Sequence, residues 1–287
     1  MSPATLTCPA PAKLNLFLHV VGRRVDGYHL LQTLFRFIDL HDTLHFTLRN
    51  DGVVHRVNTL VEVPEEEDLC VRAARLLQKE SACSLGVDIL LEKHIPMGGG
   101  LGGGSSDAAT TLIALNQLWS LGLSRERLMQ LGLTLGADVP VFIFGENAFA
   151  EGVGEQLQAF ALPQAWYVVL FPPVHVPTAR IFTHPELTRD SISITIRALP
   201  IGQRLSTVAW LGNDLQAIVC KLYPDVANYL EILGKYAQAQ MTGSGACVFA
   251  EFASEAEAQN ALQQLPEGVR GVVTQGLQQH PLHNLVV

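Results

Sequence analysis

Apolar and polar residues alternate twice near the start of the chain, at Leu14, Leu16, Leu18, Val20 and again at Leu44, Phe46, Leu48. A period of two sends neighbouring side chains to opposite faces, so both runs are predicted as half-buried strands. Glu65, Glu66, Glu67 and Asp68 precede Leu69, Ala73, Leu76 and Leu77 at helical spacing, and acids suit the positive end of a helix. A strand is predicted over 87–93, helices over 105–118 and 124–131, and a helix or turn start at Asp138-Val139-Pro140. Further on come a strand over 166–171, a proline-rich turn over 172–177, a poorly patterned stretch over 192–200 and helices over 214–222 and 225–233. The chain ends as strand, glycine-rich turn (241–246), strand (247–252), helix (254–265) and strand (269–274). Strands that follow one another without helices between them argue against a doubly wound sheet. They favour an α+β fold with helices on one side of largely antiparallel sheets. A boundary near 155–165 divides it into domains over 1–158 and 159–287.

Composition narrows the class. The 287 residues are 48% apolar and 16% charged, which excludes a disordered chain. Acidic residues outnumber basic ones 27 to 19, giving a net charge of −8. Proteins that neutralise nucleic-acid phosphates, or dock on anionic lipid, lean the other way. No apolar run approaches the ~20 residues of a membrane span, and residues 1–6 lack the regions of a secretory signal, so a cytoplasmic location is expected. Cys8, Cys70, Cys83, Cys220 and Cys247 show no zinc or redox spacing and read as reduced, mostly buried thiols. His41 and His45 flank a turn and a strand, and His280 and His283 bracket a proline, so no protein metal site is expected from them.

The most unusual stretch is Gly98-Gly99-Gly100-Leu101-Gly102-Gly103-Gly104. Glycine costs conformational entropy but tolerates positive φ and lets a ligand approach the backbone. A strand, a glycine-rich loop and then Ser105-Ser106-Asp107 at a helix start form an anion site, where free N–H groups and the helix dipole converge. The serine hydroxyls could reach a phosphate or a phosphate-bound metal, and Ser-Ser-Asp also reads as ordinary N-caps. A Walker A loop is excluded because no lysine follows Gly103. A dinucleotide fingerprint fails because helix follows helix and no ribose-binding acid stands about 20 residues on. A protein-kinase loop fails for lack of a His-Arg-Asp segment. No Lys or Arg occurs from 94 to 124, so a phosphate here would be held mainly by amides, dipole and metal.

Residues 96–107 resemble the central motif of the GHMP small-molecule kinases, whose loop wraps ATP phosphates at a helix N-terminus. Pro11-Ala12-Lys13-Leu14-Asn15-Leu16 resembles the N-terminal motif of that family and Met241-Thr242-Gly243-Ser244-Gly245-Ala246 the C-terminal one, in the same order. The blocks at 26–29, 31–34, 135–140, 150–155 and Ile181-Phe182 resemble members that phosphorylate a cytidine-diphosphate polyol in the non-mevalonate isoprenoid pathway.

The resemblance implies a two-domain fold, ribosomal-protein-S5-like in its N-terminal part and ferredoxin-like in its C-terminal part. It also implies ATP as phosphoryl donor with Mg²⁺, a cytidine-diphosphate polyol as substrate, and a monomer or homodimer. ATP would lie on Pro96, Met97, Gly98, Gly99, Gly100, Leu101, Gly102, Gly103, Gly104, Ser105 and Ser106. Asp138 would serve as base, with Lys13 polarising the acceptor hydroxyl and Asn15 hydrogen-bonding it. Tyr28 and His29 would form the cytidine pocket, His29 reading the base edge and Phe182 stacking opposite, with Thr178 near the diphosphate or cytidine.

By themselves these residues read more plainly. Asp138 fits an N-cap, Lys13 an exposed edge-strand lysine, Tyr28-His29 a plugged hairpin turn and Phe182 a core side chain. Family members carry Asn where this chain has Asp68. An acid accepts from the adenine amino group but cannot donate to a ring nitrogen, so no adenine role is expected of it. Two other functions fit parts of the pattern: a GHMP kinase for a mevalonate-like or amino-acid alcohol, and a nucleotide-binding regulator without catalysis. Tyr28, His29 and Phe182 count against the first, Lys13 and Asp138 against the second. No role is assigned to 185–205.

Overall fold

Two long antiparallel strands, β1 (Thr5–Arg23) and β2 (His29–Arg49), run through the computed structural model, which describes residues 4–60, 63–199 and 211–286. Both extend well past the alternating runs. Pro9 and Pro11 hide the early part of β1 from a pattern reading, yet β1 pairs with β2 alone in its sheet, and an edge strand tolerates a missing N–H. Register shifts at Pro11/Ala12, Asn15/Leu18 and Val20/Gly22 bend β1, and its far end brings Leu18 and Val20 into the core of the second half.

The first half continues with β3 (Val54–Arg56), α1 (Leu69–Ser81), β4 (Gly86–Glu92), α2 (Gly103–Leu118), α3 (Arg125–Leu135), α4 (Val139–Phe144), β5 (Ala148–Glu151) and β6 (Gln156–Ala159). Its sheet has the order β3-β4-β2-β5-β6, with β1 attached to β2; only β3 and β4 are parallel. Helix α2 is central, buried from Ser106 to Asn116 between the sheet and the other helices, as a helix apolar on most sides must be. The apolar run 139–144 has strand length but is helical. Pro140 stands in its first turn, and Gly145 ends it at φ +80°.

The second half contains β7 (Trp166–Leu170), α5 (Thr178–Phe182), a 3-10 turn at Ile196–Ala198, α6 (Gln216–Leu222), α7 (Pro224–Gly234), β8 (Ala239–Met241), β9 (Val248–Phe252), α8 (Glu255–Gln263) and β10 (Gly271–Gln275). The antiparallel order β10-β7-β9-β8, with helices after the first and third strands, is the ferredoxin-like arrangement. The α+β class read from the sequence therefore holds. Residues 192–199 are irregular apart from the 3-10 turn, and 200–205 of the unassigned segment lie outside the described residues. A third apolar cluster joins the halves, with Phe17, Leu34 and Phe149 meeting Tyr167, Val169 and Phe249.

The five cysteines are free, and no helix among the described residues is long and apolar enough to cross a membrane. His41 and His45 face Asp39 and Glu92, and His280 is buried with Nδ1 accepting from Leu282 N–H. Burial pushes the His280 pKa down to about 3.

Asp68 caps α1. Its Oδ1 accepts from the amides of Cys70 and Val71 at 2.7 and 3.3 Å, and its Oδ2 meets Arg56 Nη1 at 2.6 Å in a buried ion pair. Arg56 also donates to the carbonyls of Asn58 and Val63, tying the chain before α1 to β3. Removing one partner of such a pair strands the other charge. Asp68→Ala is expected to lower the free energy of unfolding in urea by about 3–5 kcal/mol. A loss below about 1 kcal/mol would mean that Arg56 finds full compensation elsewhere.

Candidate active site

A cavity of about 1050 Å³ opens between the two halves of the fold. Its floor is β1 and β2, through Lys13, Asn15, Thr33 and Phe35, and its walls are the glycine loop, the β1–β2 turn, the start of α4 and α5.

Lys13 is 2% exposed, not the solvated edge lysine that its strand position suggests. Its Nζ donates to Asn15 Oδ1 at 2.5 Å, pairs with Asp138 Oδ2 at 3.3 Å and lies 5.4 Å from the centre of the Phe35 ring. Strand alternation sets Lys13 and Asn15 on one face. Asn15 also donates to Thr33 Oγ1 at 2.9 Å, so its amide is held from both ends. Asp138 occupies the N-cap position of α4, but its side chain makes no capping bond. The carboxylate instead turns into the cavity, 36% exposed, and its Oδ1 has no partner among the described residues.

The loop is pinned on both sides. Lys13 N–H donates to Leu101 O at 2.9 Å, and Cys247 N–H donates to Gly99 O at 3.1 Å. Glycine is required at two points in particular. A Cβ on Gly102 (φ +74°) would stand 3.1 Å from Lys13 Cε, and one on Gly100 (φ +78°) would stand 2.3 Å from Thr242 O. Helix α2 starts at Gly103, two residues earlier than its pattern predicts. Ser105, Ser106 and Asp107 therefore lie inside the helix and do not cap it, and Gly102 holds the N-cap position without a side-chain bond. The first intrahelical bond runs from Ser106 N–H to Gly102 O, leaving the amides of Gly103, Gly104 and Ser105 ahead of it. Pro96 through Ser105 line the cavity. Ser106 does not: it is fully buried, with Oγ unpartnered.

Lys93 was not singled out by sequence, because it stands one residue outside the Lys- and Arg-free stretch. Its Nζ reaches under α2 to Asp42 and Asp107. Burial alone would lower the Lys93 pKa, but the two carboxylates outweigh it and raise it. Burial pushes the Asp107 carboxyl up to about 8, despite the neighbouring ammonium. The cluster thus offers little net charge to a ligand. Asp68 borders the same end of the cavity, but both its oxygens are taken by the cap and by Arg56.

At the opposite end, Tyr28 projects from the turn after Gly27, 63% exposed. The His29 ring lies against Phe182, with centroids 5.0 Å apart and planes 35° apart. Thr178 Oγ1 lies 2.7 Å from Ser244 Oγ. Thus Lys13, Asn15, Asp138, the glycine loop, Tyr28, His29, Thr178 and Phe182 all border one cavity. Ser244 belongs to the C-terminal block, where the sequence alone assigns it no role. Arg189 is marked by no motif, and its Nε donates to His29 Nε2 at 3.1 Å across 160 residues of chain.

Two family models match the chain: the GHMP kinases N terminal domain over residues 68–146 and the GHMP kinases C terminal over residues 196–271. The 4-diphosphocytidyl-2-C-methyl-D-erythritol kinase of Nitrosospira multiformis is 60% identical over 99% of this chain and 95% of its own length. That of Thiobacillus denitrificans is 58% identical over 97% and 98%. A crystal structure of 4-(cytidine 5'-diphospho)-2C-methyl-D-erythritol kinase matches with a TM-score of 0.80 at 35% identity, covering 95% of this chain and all of that one. A mevalonate kinase structure matches with a TM-score of 0.70 at 15% identity over 94% and 99%, a likeness of fold.

The buried Asp107 predicts a pH dependence. A carboxyl whose folded pKa is raised from 3.8 to about 8 binds a proton on folding, so its stabilisation is full below 3.8 and is lost as pH rises through about 8. Asp107→Asn cannot take up that proton. From about pH 5 to pH 8 the parent should lose thermal stability relative to this variant, measured by calorimetry. Parallel curves would mean that Asp107 takes up no proton on folding.

Proposed function

The chain belongs to the GHMP kinases, and on that premise we propose that it transfers the γ-phosphoryl group of ATP to the 2-hydroxyl of 4-diphosphocytidyl-2-C-methyl-D-erythritol. The products are ADP and the 2-phosphate, in a step of non-mevalonate isoprenoid synthesis. Relatives carrying that kinase name at 60% and 58% identity support the substrate. The observation that carries the chemistry is the Lys13–Asp138 pair, 3.3 Å apart where the glycine loop meets the Tyr28, His29 and Phe182 end of the cavity.

Phosphoryl transfer asks the protein mainly to position its reactants and stabilise charge. In this reading the triphosphate rests on the amides of Gly103, Gly104 and Ser105 and on the positive end of α2, with Pro96 through Gly102 wrapping it. The acceptor lies with its base between Tyr28 and Phe182, its edge read by His29 and its diphosphate near Thr178 and Ser244. Its 2-hydroxyl then meets Asp138, whose Oδ1 takes the proton as the oxygen attacks phosphorus and the bond to the bridging ADP oxygen breaks. Lys13 polarises that hydroxyl and offsets the charge that develops on the transferred group. Asn15 fixes the Lys13 ammonium through Oδ1 and keeps its second amide hydrogen for the acceptor.

Among the described residues no group of three His, Cys, Asp or Glu side chains could hold a metal. Ser105, however, lines the cavity at the start of α2. A magnesium ion bound with the nucleotide would have the Ser105 hydroxyl as its candidate protein ligand. When bound, the ion neutralises charge on the β- and γ-oxygens. We place the reaction in the cytoplasm, and the domain boundary between 158 and 159, at the end of β6 and ahead of the segment that leads to β7 and the second sheet.

Purified protein given ATP, Mg²⁺ and the cytidyl substrate should release ADP and form the 2-phosphate. Turnover confined to another alcohol would overturn the substrate assignment. Asp138→Asn should lower kcat by about a hundredfold or more, because a positioned base contributes on that order. Near-normal turnover would leave Asp138 without a role as base.

A further inference from the structure

The stretch between α5 and the 3-10 turn at Ile196–Ala198 is a strap bonded to β1 and β2 through Val20, Gln32 and His29. Ser191 N–H donates to Val20 O at 3.1 Å, and Ser191 Oγ–H donates to Asp214 Oδ2 at 2.7 Å. Gln32 and Ile194 exchange two bonds, of 2.8 and 2.9 Å. Arg189 extends inward from this strap. Its Nη1 donates to Leu187 O at 3.0 Å, and its Nη2 to Phe182 O at 3.1 Å and His184 O at 2.8 Å. Its Nε donates to His29 Nε2 at 3.1 Å. One guanidinium therefore holds both the imidazole and the backbone of Phe182 beside it, and its donors go to three carbonyls and a histidine.

A ring nitrogen that accepts a hydrogen bond cannot carry the proton, so the proton of a neutral His29 is on Nδ1. That nitrogen has no partner among the described residues. Burial, Arg189 and Arg23 all push the His29 pKa below its usual value, which favours the neutral ring.

We propose that Arg189 is a positioning residue that sets base selectivity: by donating to His29 Nε2 it fixes the Nδ1–H tautomer, a donor that matches the N3 acceptor of cytosine and opposes the N3–H of uracil. The inference rests on the reading of Tyr28, His29 and Phe182 as the cytidine end. It gives the strap a function that no local motif carries, because the contact closes only in the folded chain. A site built around one hydrogen bond rejects the base that lacks its complement, since a desolvated donor then faces a donor.

Two substitutions separate the donor from the bulk of the side chain. In Arg189→Gln the amide nitrogen falls at the position of Nε along the side chain, so the donor can be kept; in Arg189→Met a methyl replaces it. With the full-length chain, Arg189→Met should raise KM for the cytidyl substrate about tenfold or more, leave KM for ATP within about twofold, and erase the preference for CDP over UDP as competitor. Arg189→Gln should restore most of the affinity and the preference. In unsubstituted protein, ¹⁵N–¹H correlation of the His29 ring should show Nδ1 protonated and Nε2 bare, a result independent of whether either variant folds. A proton on Nε2, an unchanged CDP preference in Arg189→Met, or equal impairment in both variants would overturn the inference while leaving the proposed reaction intact. Absence of turnover on the cytidyl substrate and of competition by CDP in unsubstituted protein would overturn both.

Discussion

A lysine ammonium withdrawn from water is the constraint on which this architecture depends. Burying a charge is costly unless it is paired and hydrogen-bonded. Lys13 meets that demand with partners from three elements: Asn15 on its own strand, Phe35 on β2 and Asp138 at the start of α4. Its backbone N–H holds Leu101, and its side chain passes 3.1 Å from where a Cβ on Gly102 would stand, at a φ of +74° that favours glycine. Fixing one ammonium thus fixes the glycine loop, the start of α4 and the end of the cavity where the two reactants would meet.

The same economy of charge runs through the phosphate end. The chain is acidic, and Lys93, the cation reaching beneath α2, is matched by Asp42 and Asp107. What remains for an anion is geometry: amides ahead of the first helical bond, the dipole of a central sixteen-residue helix, and backbone brought close by glycine. A low count of basic residues is therefore compatible with polyphosphate ligands when the fold supplies the donors.

How much of this was legible in the sequence depended on the distance over which each feature is determined. The α+β class, the glycine loop before a helix, and the shared face of Lys13 and Asn15 follow from local periodicity and composition. The helix start was misjudged because Ser-Ser-Asp is a good cap in isolation, whereas packing of the loop against β1 and the C-terminal block starts α2 at Gly103. Asp138 was ambiguous because an N-cap and a partner for Lys13 share the same local pattern, and only the tertiary contact separates them. The full length of β1 was hidden by prolines tolerable only on an edge. Arg189 and Ser244 could not be found at all by local pattern, since their partners lie 160 and 66 residues away.

Lys13→Met separates an ammonium that acts on the transferred group from one that only holds the loop. The measurement is kcat at saturating levels of both substrates, together with calorimetric binding of each ligand. An ammonium that stabilises the transferred group predicts kcat lower by about a hundredfold or more on its removal, with both ligands still bound. Turnover close to that of the unsubstituted protein would contradict it.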